Sequence, residues 1–161
     1  MLIVLEIGGG FCGVNVAVSR ILRNTSTLES TWTSNIPVAL VFVLGITAGL
    51  ALVERSGLGV VLSAVYQALQ VPTLWSSLLS YRFYSGLHIG IAWSQGRVRP
   101  WIEFGSFFGL RLFGYKGTWL VGINLLALVL FVFLLFELRR MNGRSGQSEL
   151  EDAEMSTVSS D

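Results

Sequence analysis

Glu6 is the first residue of this chain whose type and position could support chemistry. It lies inside the apolar stretch that starts at Leu2. A carboxylate within such a stretch can relay a proton, bind an ion or pair with a partner. Because Glu6 stands close to the start of the chain, where lipid headgroups would be within reach, a structural role is the preferred interpretation.

Other polar side chains recur within apolar segments and extend this pattern. Ser63, Gln67 and Gln70 are separated by four and three residues, which places them on one face of a helix. Side chains that form hydrogen bonds are costly against lipid, so this face should point to a bundle interior or a wet cavity. The residues of this candidate polar path are Glu6, Asn15, Ser63, Gln67, Gln70 and Asn124. Hydrogen bonding between helices explains each of them without transport.

The remaining reactive side chains do not form a known catalytic or metal site. His88 is the only histidine and Cys12 the only cysteine, which excludes a multi-histidine metal site and an intramolecular disulfide. His88 and Glu103 could exchange a proton across two facing strands, but no nucleophile accompanies them. There is no phosphate-binding glycine loop and no CxxC motif. We therefore expect no enzyme activity, no metal and no cofactor.

Composition points to lipid as the main surrounding of this chain. Of its 161 residues, 52% are hydrophobic and 13% charged, and too few charges remain to cover a soluble domain. The mean hydropathy is +0.64. The net charge of +1 gives no argument for nucleic acid as a partner. The expected partner is a bilayer, and the expected location is the cell membrane.

Long apolar segments predict an all-α integral membrane protein with four transmembrane helices. A span needs about 20 apolar residues, and the clearest candidate ends before the pair Arg139 and Arg140. Pro37 suits the first turn of another span, whereas Pro72 should kink or end a third. The predicted spans cover residues 2–18, 36–53, 58–80 and 117–138.

Two glycine pairs are predicted to bring helices together. Gly9 and Gly13 form one GxxxG pair, and Gly45 and Gly49 form another. Small residues at this spacing let helix backbones approach closely. The two faces could pack against each other, or against a further copy or a larger membrane complex.

The segment 83–115 is predicted to be a β-hairpin. Hydrophobic and small residues alternate from Ser85 to Trp93, which is the period of a strand, and a turn is offered just after it. The alternative is a helix lying at the membrane interface, because several aromatic residues of this segment also share one helical face. Its glycines favour the hairpin.

These expectations divide the chain into a membrane domain, residues 1–141, and a disordered acidic tail, residues 142–161. The leading functional hypothesis is a non-enzymatic accessory or assembly protein that packs through its glycine faces. The first alternative is a small transporter or channel subunit that uses the polar path. The second is an enzyme working at the membrane interface through His88 and Glu103.

Overall fold

The protein combines helices with an antiparallel sheet in a computed structural model that describes residues 2–23, 28–113 and 118–158. Its elements in chain order are α1 (Leu2–Arg23), α2 (Leu28–Val53), α3 (Gly57–Gln70), β1 (Pro72–Trp75), β2 (Leu79–Ser94), β3 (Arg97–Leu112), β4 (Leu120–Asn124) and α4 (Leu125–Val158). Helix α4 continues into the segment predicted to be a disordered tail, and residues 159–161 lie outside the described part.

The prediction of an all-α protein with four transmembrane spans is wrong. The predicted span 58–80 divides at Pro72 into α3 and the strand β1, and the predicted span 117–138 divides into β4 and α4. Helix α3 has 14 residues and therefore rises only about 21 Å, less than the roughly 30 Å of a bilayer's hydrocarbon. The apolar residues of β1 and β4 belong to a sheet, in which strand pairing satisfies their backbone N–H and C=O groups.

Two helical segments in the described part of the chain are long and apolar enough to cross a membrane. They are Leu2–Ser19 in α1 and Ile36–Val53 in α2. Both segments qualify by length and composition alone. The prediction of a multi-pass protein with four spans is therefore wrong.

Strands β2 and β3 form the hairpin that the alternating sequence predicts. They pair over their whole length, from Leu79 opposite Leu112 to Ser94 opposite Arg97. Gln95 and Gly96 make the two-residue turn, and both have positive φ angles, of 51° and 74°. Turns of this kind match the right-handed twist of the strands they join. The hairpin starts earlier than expected and belongs to a larger sheet.

The other edge of β2 contacts two strands, and this curls the sheet. Near its start β2 pairs with β1, where Arg82 lies opposite Thr73, and near its end it pairs with β4, where Ala92 lies opposite Gly122. Strands β1 and β4 also pair with each other. Because β1, β2 and β4 close a ring, β2 must bend and one face of the sheet becomes concave.

The convex face of the sheet packs on the helices. Phe83 of β2 is fully buried there, and its ring centroid lies 5.6 Å from that of Phe42 in α2 and 5.4 Å from that of Tyr66 in α3. Phe108 of β3 adds a third ring at 5.7 Å. Successive side chains of a strand point to opposite faces, so the even-numbered residues of β2, such as Arg82 and His88, lie on the concave face.

Candidate functional site

The concave face of the curled sheet encloses a cavity of about 250 Å³, which we call the sheet cavity. Thr73 and Trp75 of β1 form one wall, Arg82 of β2 lies beside them, and Trp101 and Glu103 of β3 form the opposite wall. These residues come together because strand pairing places Thr73 directly across from Arg82. The sheet cavity brings two arginines, a carboxylate and two tryptophans together in one recess, so it is the candidate site.

Arg82 is a cation held among aromatic rings. Its guanidinium forms an ion pair with the Glu103 carboxylate. Its guanidinium carbon lies 5.0 to 5.9 Å from the centroids of four rings, those of Tyr84, Trp101, Phe107 and Trp75. Burial lowers the pKa of Arg82, because dehydration disfavours its charge. The carboxylate and the faces of the rings offset part of this cost.

His88 is neutral at physiological pH and has a defined tautomer. Burial, together with the smaller effect of the nearby Arg82 charge, lowers the pKa of His88 to about 4. The Trp101 indole N–H donates to His88 Nε2 over 2.9 Å, so the ring proton of the neutral form sits on Nδ1. That Nδ1 lies 3.9 Å from Glu103 Oε2, too far for a hydrogen bond.

Three polar atoms in and beside the sheet cavity lack a hydrogen-bond partner among the described residues. They are Thr73 Oγ1, Arg82 Nε and His88 Nδ1, and all three are buried. Each carries a hydrogen that it can donate. Buried polar groups in proteins are nearly always paired, so these donors are suited to bind an acceptor that enters the recess.

Glu6, Ser63 and Gln67 of the candidate polar path form a second polar cluster, which we call the helix junction. Glu6 of α1 is buried, and its Oε2 accepts a hydrogen bond of 2.8 Å from Ser63 Oγ. Its Oε1 accepts one of 3.0 Å from Gln67 Nε2. Both donors belong to α3. The carboxylate therefore fastens α1 to α3, as expected of a polar group that is shielded from lipid or water.

Gln70 and Asn124 lie next to the helix junction, where Gln70 forms a hydrogen bond to the sheet and Asn124 forms one to α4. Gln70 Oε1 accepts from the backbone N–H of Ser85 over 2.9 Å. Asn124 Oδ1 accepts from the backbone N–H of Ala127 over 3.3 Å, which is the geometry of a cap at the start of α4. A void of about 10 Å³ borders both residues, roughly the room that one water molecule needs.

Asn15 is separate from the other residues of the polar path. Its side chain is exposed and accepts a hydrogen bond of 3.3 Å from Ser19 on the same helix. The structure thus gathers Glu6, Ser63 and Gln67, places Gln70 and Asn124 beside them, and leaves Asn15 on the surface.

The four glycines predicted to pack helices all lie at close approaches. An added side chain would collide with a neighbouring element in each case: Gly9 with β2 at Gly86, Gly13 with the Phe42 ring, Gly45 with the Tyr66 ring and Gly49 with the Ile7 side chain. Three of these approaches join two helices. Gly9 instead lets α1 lie on the sheet, where Ser106 Oγ also donates to the Gly9 carbonyl over 2.7 Å.

Sequence reasoning missed Thr73, Arg82 and Trp101 as site residues. It noticed His88 and Glu103 as a facing pair, and they are opposite each other in the hairpin. Arg82 shares the parity of His88, so extending the strand pattern back to Leu79 would have placed it on the same face. The pairing of Thr73 with Arg82 is a local contact between β1 and β2, and it was missed because β1 was assigned to a predicted transmembrane span.

Comparison with known proteins identifies no relative of this chain. No protein-family model, no curated protein and no solved structure matches the chain.

Proposed function

We propose that this chain is a non-enzymatic accessory or assembly protein held at a membrane by the outer faces of α1 and α2. The observation that carries the proposal is the large apolar side chains that these faces expose. They are Val4 and Phe11 on α1 and Leu40, Val43 and Leu50 on α2, between 42% and 73% exposed. Exposed apolar surface of this extent is characteristic of a membrane or protein interaction site.

The exposed apolar surface continues beyond the two long helices. Val61 and Val65 of α3 and Phe133 and Phe136 of α4 are also exposed. Each exposed square ångström costs about 25 cal/mol in water, which lipid tails or a partner would relieve. The close glycine contacts hold α1 and α2 together, so their outer faces form one surface available for assembly.

The helix junction supports an accessory role over transport. Both carboxylate oxygens of Glu6 already accept hydrogen bonds from α3. The void beside Gln70 and Asn124 has a volume of only about 10 Å³. A transport path would need polar groups that are free to bind and release an ion, together with a continuous wet passage.

Membrane attachment can be tested by alkaline carbonate extraction of cell membranes. We expect the wild-type chain to stay in the pellet and Val43→Arg to be released in part, because an arginine in the middle of an apolar helix costs about 3 kcal/mol on insertion. Gln95→Arg, in the exposed hairpin turn, is the matched control and should behave as wild type. A wild-type chain that is monodisperse in buffer without detergent would overturn the proposal.

Assembly can be tested separately by chemical crosslinking in native membranes. We expect a discrete crosslinked species of higher mass that disappears when the outer face carries Phe11→Arg. Isolated monomers under conditions that crosslink a known membrane complex would contradict the assembly role while leaving membrane attachment intact.

A further inference from the structure

The sheet cavity contains more hydrogen-bond donors than acceptors. Glu103, its one carboxylate, is already engaged by the Arg82 guanidinium. Thr73 Oγ1, Arg82 Nε and His88 Nδ1 remain buried and unpaired among the described residues. Thr73 is only 1% exposed and borders the cavity. A bound group that satisfies these donors must bring hydrogen-bond acceptors.

The charge of the sheet cavity also favours an anion. Its charged lining residues are Arg82, Arg99 and Glu103, which leave one positive charge in excess. Arg82 lies among aromatic rings rather than in water. Attraction between opposite charges is stronger in such low-dielectric surroundings. Arg99 is exposed at the edge of the cavity and could attract an anion from outside.

From these observations we infer that the sheet cavity binds a small organic oxyanion, a carboxylate or phosphate group, through Arg82 and Thr73. Guanidinium groups match the geometry of both oxyanions. The volume of about 250 Å³ is below the range of sites for drug-sized ligands, so the bound group is small. Trp75 and Trp101 supply flat apolar walls beside the charge, which suits a planar or partly apolar ligand.

Two sources could supply this oxyanion, a free small molecule or the headgroup of an anionic lipid. Both present the same acceptor oxygens to Arg82 and Thr73. The inference about the cavity does not depend on membrane attachment, because a free ligand would bind the sheet in either setting.

The test is a titration of the full chain in phosphatidylcholine bicelles, followed through the indole N–H signals of tryptophan in NMR spectra. Benzoate is the probe for a free oxyanion, and phosphatidic acid mixed into the bicelles is the probe for a headgroup. We expect saturable shifts of the Trp75 and Trp101 signals with at least one probe. Trp93, exposed on the convex face, should not move and serves as an internal control.

Variants distinguish a built site from general attraction of anions. Thr73→Val keeps the shape of the side chain but removes the hydroxyl, and should weaken binding about fivefold. Arg82→Lys keeps the charge but loses Nε and the planar fork, and should weaken it at least about tenfold. Arg97→Gln, at the exposed end of the hairpin, removes a charge outside the cavity wall and should leave affinity unchanged.

The outcomes separate clearly. Shifts with benzoate indicate a free oxyanion, whereas shifts with phosphatidic acid alone indicate a lipid headgroup. Either result supports the inference if Thr73→Val weakens binding of the probe. Absence of saturable shifts with both probes in the folded protein overturns it. Equal affinity in wild type and Thr73→Val overturns it as well, and this result would not affect the proposed assembly role.

Discussion

The helix junction and the sheet cavity each contain a carboxylate, and the two carboxylates differ in burial and in what surrounds them. At the junction, Glu6 accepts hydrogen bonds on both oxygens from one neighbouring helix. In the cavity, Glu103 pairs with Arg82, while Thr73 Oγ1, Arg82 Nε and His88 Nδ1 have no partner among the described residues. A closed set of bonds fixes the position of a helix, whereas an open set leaves groups for something else to bind.

Breaking the closed set should produce the largest effect. Gln67→Leu removes the donor to Glu6 Oε1 and leaves a buried carboxylate half satisfied, which should lower the free energy of unfolding by about 2 to 3 kcal/mol. Chemical unfolding followed by circular dichroism measures the change. Asn15→Leu, which alters an exposed polar residue on α1, is the control and should stay within about 0.5 kcal/mol of wild type.

Disturbing the open set should cost less. Glu103→Gln keeps an acceptor beside Arg82 but removes the charge, and the Glu103 side chain is 38% exposed, so water screens the ion pair. We expect a loss of about 1 to 2 kcal/mol in the same unfolding experiment. A loss larger than that of Gln67→Leu would reverse the contrast between the two regions. Arg140→Gln, in an exposed pair on α4, is the matched control for charge removal.

Acid should weaken the sheet cavity through His88. Its pKa is about 4 in the folded protein against an ordinary 6.5, so the unfolded chain binds the proton more readily. The contribution of neutral His88 to the free energy of unfolding is therefore complete above about pH 6.5 and is lost as the pH falls toward the folded pKa. We expect the free energy of unfolding to fall by about 1 kcal/mol between about pH 7 and pH 5.5. Unfolding curves across this pH range should show the loss in wild type and not in His88→Gln. Identical pH profiles for the two proteins would mean that His88 is not buried in its neutral form.

The hairpin could be predicted from the sequence because its signals are local. Alternation along β2 and the turn at Gln95 and Gly96 lie within one short stretch, and so does the spacing of Ser63 and Gln67 on α3. Each glycine of the two pairs has a close neighbour, which for Gly13, Gly45 and Gly49 is a side chain of another helix.

The curl of the sheet could not be predicted in this way. Hydropathy treats an apolar strand and half of an apolar span alike, so β1 and β4 were counted within two transmembrane helices. Their mutual pairing joins residues nearly fifty positions apart, such as Thr73 and Gly122. This long-range contact closes the sheet cavity. Thr73 and Arg82 pair locally in β1 and β2, and their pairing was missed because β1 was assigned to a transmembrane span.

The ring formed by β1, β2 and β4 has a consequence for synthesis on the ribosome. The β2–β3 hairpin can form as soon as both arms have emerged, since its contacts are local, but the ring cannot close before Asn124 is made. The recess that holds Arg82 therefore forms after the β2–β3 hairpin. A released chain truncated before Leu120 should protect the amides of the β2–β3 hairpin from exchange while the edge of β1 that pairs with β4 stays open to solvent.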